Sequence, residues 1–280
     1  MKHYVRVLTI AGSDSGGGAG VQADLKTFAA LGVYGMSAIT AITAQNTRGV
    51  EGVWPLPPEW VRRQVDAVLD DIGADAIKIG MLGSAEVAMA VAEAIRRYPE
   101  IPVVVDPVMV STSGAVLLTD DARAVLVDQI FPIAWLVTPN LPEVEALTGM
   151  LVRSEGDRRR AGEALLGLGC RAVLIKGGHA AGSEVDDWLF QAEAGGVSMQ
   201  DFGHCRVNTG NTHGTGCTLS AAIAAQLATG DSLVDAVGTG VRFVHEALSA
   251  GAGFQIGGGR GPLNHGFDPQ AMRQHAGETE

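Results

Sequence analysis

Residues 211–217 read NTHGTGC, and an Ala-rich helical pattern follows at once. Glycines at 214 and 216 let the backbone turn tightly and come close to a ligand. The helix that starts beside them aims its unpaired N–H groups back at the loop. That corner suits a phosphoryl group in transfer, with Thr212, Gly214, Thr215 and Gly216 as the candidate contacts. A plain Gly-rich loop capping a helix has the same local pattern. Cys217 stands where the helix begins, where the helix dipole and free N–H groups favour its thiolate. It could take a proton from an alcohol or only polarise it, and it could equally be a small buried apolar residue.

Other polar residues fall at the ends of apolar runs. Asp106 follows VVV, and Asn140 and Glu143 flank the start of a helical pattern in PNLPEVEAL. Carboxylates there can organise Mg²⁺ through water around nucleotide phosphates, or can simply cap helices. Lys176 ends another apolar run ahead of two glycines, where an ammonium can meet phosphate or stay solvated. Asp24 lies one turn into the first helical pattern, facing the crevice or merely favouring the helix N-terminus.

The elements that must carry these residues alternate. Apolar runs at 5–11, 37–43, 76–79, 103–106, 135–138 and 172–176 predict buried strands. Between them, Val21, Leu25 and Phe28 mark one helical face ended by Gly32, and Val87, Val91 and Ile95 mark another capped by Ser84. Leu165 and Leu168 sit on a third, ended by Gly169. Strand–helix alternation predicts an α/β fold, a mostly parallel sheet with helices on both faces and ligands beyond the strands' carboxyl ends. Residues 183–206 read as antiparallel strands at a sheet edge, and 215–228 and 233–249 as two closing helices. One domain over 1–265 and a weakly packed tail over 266–280 complete the organisation.

Composition removes several function classes. The chain is 46% apolar with a net charge of −11 and no basic run longer than three, which argues against nucleic-acid or anionic-membrane surfaces. Three cysteines without C-x-x-C spacing, and an N-terminus without a signal pattern, point to the cytoplasm. No Walker-A, G-x-G-x-x-G or H-E-x-x-H string occurs.

Eight strings in order then resemble the hydroxymethylpyrimidine/phosphomethylpyrimidine kinases of the ribokinase-like superfamily. They are AGSDSGGGAGVQADLKTF at 11–28, TAITAQNT at 40–47, KIGMLG at 78–83, VVVDPVMVSTSG at 103–114, TPNLPEVEALTG at 138–149, LIKGGH at 174–179, THGTGCTLSAAIAA at 212–225 and GPLNH at 261–265. The resemblance implies a ribokinase-like three-layer α/β/α sandwich. It implies ATP-dependent phosphorylation of 4-amino-5-hydroxymethyl-2-methylpyrimidine, first to the monophosphate and then to the diphosphate, in thiamine biosynthesis. By the same resemblance Gln45 reads the pyrimidine edge, and Gly12, Asp24, Met81 and Val108 line its pocket. Cys217 becomes the base, 214–216 the anion hole, and Lys176, Asn140 and Thr212 the nucleotide contacts. Glu143 and Asp106 organise Mg²⁺, and a homodimer is expected. The rival readings are a pyridoxal/pyridoxine kinase and a non-catalytic nucleotide-binding regulator; Gln45 and the intact glycine loop speak against them.

Overall fold

A computed structural model describes residues 2–109, 117–179 and 182–275 of the chain. Its centre is an eight-stranded sheet. Across the sheet the strands run Gly196–Cys205, Glu184–Glu193, Ala172–Ile175, Leu136–Val137, Val103–Val105, Ala76–Ile79, Arg6–Ala11 and Tyr34–Ile39. The last six are mutually parallel, and the first two form an antiparallel hairpin on the edge.

The strands are buried because successive side chains face opposite helical layers. Leu8, Ile10, Ile77, Val103, Val105 and Val137 face one apolar cluster, shared with helices Pro58–Asp71, Ala85–Ile95 and Glu155–Leu166. Val7, Ala76, Val104, Leu136 and Leu174 face the other, shared with Gly20–Ala30, Thr215–Ala228 and Leu233–Gly251. Each such side chain taken from water contributes about 1.5–3 kcal/mol. The three-layer sandwich thus follows from the alternation.

Most predicted elements stand, and the departures have physical causes. The expected strand at 37–43 divides at Thr40, whose hydroxyl donates to the Met81 carbonyl at 2.7 Å. There the chain leaves the sheet and pairs with itself in a hairpin, Ala41–Asn46 with Gly49–Pro55. Helix Pro58–Asp71, which the sequence reading did not anticipate, opens on Pro58 and buries Val61, Val65 and Leu69. Leu168 lies beyond the helix ending at Leu166. The described part of the tail, 266–275, is mostly exposed but makes backbone contacts: Gln270 N–H donates to Ala30 O at 2.8 Å, and Gln274–His275 pairs with His3–Tyr4. Residues 110–114 of the fourth family string lie outside the described residues.

The first strand, Arg6–Ala11, has the second strand of the sheet on one side and the third on the other. That reversal opens a crevice at the strand ends, the place where open α/β sheets bind ligands.

Candidate active site

The glycine loop is fixed by contact with its neighbours. Gly214 is the N-cap of Thr215–Ala228 at φ +84°, and a Cβ there would fall 1.8 Å from the Gly18 carbonyl oxygen. Only glycine allows both the conformation and the approach. A Cβ on Gly216 would lie 3.2 Å from Lys176 Nζ and 3.4 Å from Asp106 Oδ2. The first turn of the helix, with its free N–H groups, therefore opens directly onto that ion pair. The Thr212 carbonyl accepts the Thr215 hydroxyl at 3.2 Å and holds the loop closed.

Lys176 Nζ lies 2.7 Å from Asp106 Oδ1 and 3.9 Å from Glu143 Oε2. The Thr138 hydroxyl donates to Asp106 Oδ1 at 3.3 Å. Asn140 and Glu143 form a capping box: Glu143 N–H donates to Asn140 Oδ1 at 2.9 Å, and Asn140 N–H donates to Glu143 Oε2 at 2.7 Å. The helix-capping alternative is the one observed. Glu143 caps its helix and yet stands beside Lys176, and Asn140 keeps only its NH₂ free to meet a phosphate. Burial pushes the Glu143 carboxyl up to about 7, with Lys176 opposing and Asp106 adding to the rise. Among the described residues no three His, Cys, Asp or Glu side chains converge on a metal position. Asp106 and Glu143 are hard oxygen donors flanking one cation, a set that fits Mg²⁺ held through water and phosphate oxygens and not a closed protein cage.

Asp24 departs from the expected pocket lining. It is 0% exposed and forms an ion pair at 2.8 Å with Lys78, also 0% exposed, while the Thr9 hydroxyl donates to it at 2.6 Å. Both are fully enclosed, and a carboxylate in an apolar helix face must find a cation. Lys78 was missed by residue-by-residue reasoning. The available signal was a lysine inside the otherwise apolar strand AIKI. Burial works against its ammonium, but Asp24, Cys217 and Asp106 outweigh that, and its pKa rises.

Cys217 is half-buried. Burial pushes its thiol up to about 11; Lys78 opposes the rise, and Asp24 and Asp106 reinforce it. This corrects the expectation that the helix dipole favours the thiolate. Desolvation and two nearby carboxylates exceed a dipole effect of about 0.3–1 kcal/mol, so Cys217 is a thiol at neutral pH.

Gln45 sits on the hairpin, where the pairing register slips between Ala44 and Gln45. Such a bulge re-aims a side chain. Gln45 Nε2 lies 3.4 Å from His213 Nε2, and its Oε1 accepts from Thr43 Oγ1 at 3.3 Å. His213 Nε2 is 2.8 Å from Asp14 Oδ2, whose carboxylate also accepts the N–H groups of Gly16, Gly18 and Ala19. Asp14 and His213, both inside family strings but not singled out, are what join the hairpin to the two glycine loops. Gly12 and Met81 touch, since a Cβ on Gly12 would lie 2.4 Å from Met81 Cε. Val108 is half-buried just after the Asp106–Pro107 turn. The crevice thus gathers Gly12, Met81, Gln45, Cys217, Lys176, Asp106 and Glu143 from seven separate segments.

The chain as a whole is similar to known proteins. The family described as phosphomethylpyrimidine kinase matches residues 14–264. A hydroxymethylpyrimidine/phosphomethylpyrimidine kinase of Rhizobium meliloti is 51% identical over 259 residues, covering 92% of this chain and 96% of that one. The crystal structure of a phosphomethylpyrimidine kinase from Clostridium difficile 630 has 43% identity and a TM-score of 0.76, over 87% of this chain and 99% of that one. The ADP complex of a Bacillus subtilis pyridoxal kinase has 35% identity and a TM-score of 0.85, over 94% of this chain and 98% of that one. The higher structural score belongs to the lower identity, so backbone likeness alone does not choose between the two ring substrates.

Proposed function

This chain belongs to the phosphomethylpyrimidine kinase family, and on that premise we propose how its crevice performs the reaction. The enzyme is an ATP-dependent kinase that phosphorylates hydroxymethylpyrimidine and then phosphomethylpyrimidine, in thiamine biosynthesis. The observation that carries the site assignment is the position of Gly216, against Lys176 and Asp106 and one residue before Cys217.

Gln45 offers a carbonyl and an NH₂ to the amino group and ring nitrogen of the aminopyrimidine. Gly12, Met81 and Val108 supply the walls, and the Asp24–Lys78 pair fixes the floor. The γ-phosphate settles on the N–H groups of 214–216, with Lys176 and the Asn140 NH₂ on its outer oxygens and the Thr212 segment behind. Mg²⁺, held by Asp106 and Glu143 through water, would neutralise charge on the ATP phosphates. As the hydroxymethyl oxygen bonds to phosphorus, the bond to the β-phosphate oxygen breaks and ADP leaves. The alcohol proton departs late in such a transfer, and the small thiolate fraction of Cys217 is its acceptor.

A homodimer is part of this reading. Trp54 is 74% exposed, with Ile42 and Val53 exposed on the same hairpin, and Trp60 on helix Pro58–Asp71 is 55% exposed. An apolar surface of this kind is suited to a second copy. Replacing Trp54 with Asp should give a monomer by light scattering, and unchanged mass would remove the assignment. The three free cysteines suit a reducing cytoplasm.

The deciding experiment is an ADP-release assay with MgATP, offering hydroxymethylpyrimidine and pyridoxal in parallel, with mass analysis of products. Mono- and diphosphate from the pyrimidine are expected. Turnover on pyridoxal alone would overturn the role given to Gln45, and silence on both would restore the regulator.

A further inference from the structure

Against helix Gly20–Ala30 lies an open groove of about 640 Å³, with neither Lys176 nor Asp106 in its lining. Its walls include Ala29, Phe254, Ile256 and Leu263, and its polar groups include Lys26 and His265. Lys26 is the one charged side chain among the residues that line it. The groove lies between helix Gly20–Ala30 and residues 251–269, so it shares no wall with Gln45 or Cys217.

His265 gives the groove a built polar point. It is 5% exposed, and its Nε2 lies 2.9 Å from the Thr218 hydroxyl oxygen. That hydroxyl donates its only proton to the Gly214 carbonyl at 2.8 Å. Nε2 must then be the donor to Thr218, which leaves Nδ1 as a bare acceptor. Among the described residues Nδ1 has no hydrogen-bond partner, and it is not one of the enclosed unpartnered atoms. Burial lowers the imidazole to about 4, with Lys26 adding to the drop, so the ring stays neutral. Nδ1 is thus an acceptor open at the groove wall, where a donor on a ligand can reach it.

The groove is also wired to the active site at three points. His265 reaches Gly214, the cap of the catalytic helix, through Thr218. Asn211 Nδ2 donates to the Gly251 and Phe254 carbonyls, and His213 N–H donates to Gly261 O at 3.0 Å. Farther along the same segment, Arg260 N–H and Gly259 N–H donate to Thr47 O and Oγ1 at 2.9 and 3.1 Å, at the turn of the hairpin that carries Gln45.

We propose that this groove is a regulatory site for the enzyme's own end product, a phosphorylated aminopyrimidine bound in a second copy. The inference rests on the pyrimidine kinase reading. That product carries the three features the groove asks for: a flat apolar ring for Phe254, Ile256 and Leu263, an amino donor for His265 Nδ1, and a phosphate for Lys26. Occupancy clamps residues 251–262 and, through Thr47 and Gly214, holds both the Gln45 hairpin and the anion hole in one arrangement. Turnover slows because release needs them to move.

The test is product inhibition by the pyrimidine diphosphate, with hydroxymethylpyrimidine varied to saturation and MgATP saturating. Binding at the crevice alone is competitive and vanishes at high pyrimidine. Occupancy of the groove lowers kcat at saturation, by about 5-fold or more. Ala29→Trp, at an exposed helical position, fills the groove and should abolish the fall in kcat while leaving the uninhibited rate intact. Phe254→Glu, at a residue 70% exposed, should do the same by repelling the phosphate. Purely competitive inhibition in the wild type overturns the proposal, as does a kcat effect that survives in both folded variants. Absence of any turnover before product is added would instead sink the kinase reading.

Discussion

The charged row under the crevice and the hairpin above it are built on opposite terms. Asp24, Lys78, Asp106 and Glu143 are buried, Lys176 is half-buried, and all five are ion-paired before any ligand arrives. The hairpin 41–55 is a two-stranded sheet with most of one strand exposed, tied down by Ser13, Ser15 and the 257–260 segment. The difference separates two tasks. Charge proposed to meet a transferring phosphoryl group is held rigid, where low dielectric strengthens it and no reorganisation is needed. Gln45, proposed to read the ring, is carried on an element with little core of its own, and such elements open at low cost.

Changes in the row should therefore be severe. Cys217→Ala removes the proton acceptor and should lower kcat by about 10²–10⁴-fold while the KM for ATP stays near wild type in the coupled assay. If instead both parameters collapse together, Cys217 serves the loop's shape and not the proton. Lys78→Met leaves Asp24 as an uncompensated buried carboxylate, and urea unfolding should show a loss of about 3–5 kcal/mol. Adding Asp24→Leu should recover most of that loss, because two apolar groups need no pairing. Persistent instability in the double variant would mean that the floor depends on the ion pair itself.

The raised thiol makes a pH prediction whose sign is opposite to that of an activated cysteine. Below its value of about 11, each pH unit raises the thiolate fraction about tenfold, so kcat should climb from pH 7 toward pH 10. A plateau already reached at pH 7 would show that bound nucleotide or substrate lowers the thiol. On the hairpin the effects should be smaller. Gln45→Ala removes hydrogen bonds of about 0.5–1.5 kcal/mol, raising the KM for hydroxymethylpyrimidine about 3–10-fold with kcat little changed. A loss as large as that of Cys217→Ala would erase the contrast between the two regions.

Much of the frame was legible because its causes are local. Ala76–Ile79 and Thr215–Ala228 lie where periodicity predicts them, and Ser84 accepts from Val87 N–H as an N-cap should. Where a distant partner decides, local pattern falls short. Thr40 ends one strand and begins another because Met81, forty-one residues away, takes its hydroxyl. The last described residues look like a tail, but Gln274–His275 finds His3–Tyr4 at the other end of the chain.

The sequence by itself determined the three layers, the strand ends at which chemistry collects, and the kinase family, since period and motif are written in neighbouring residues. Tertiary structure alone decided that Asp24 is fully enclosed, that Lys78 is its partner, and that Cys217 is a thiol. It also decided that Asp14 and His213 tie Gln45 to the glycine loops, and that His265 lines a second groove. Those properties depend on desolvation and on charges brought together from residues up to 199 positions apart, as in the Asp14–His213 pair. No local pattern encodes how much water a folded site excludes or which charge will stand beside it.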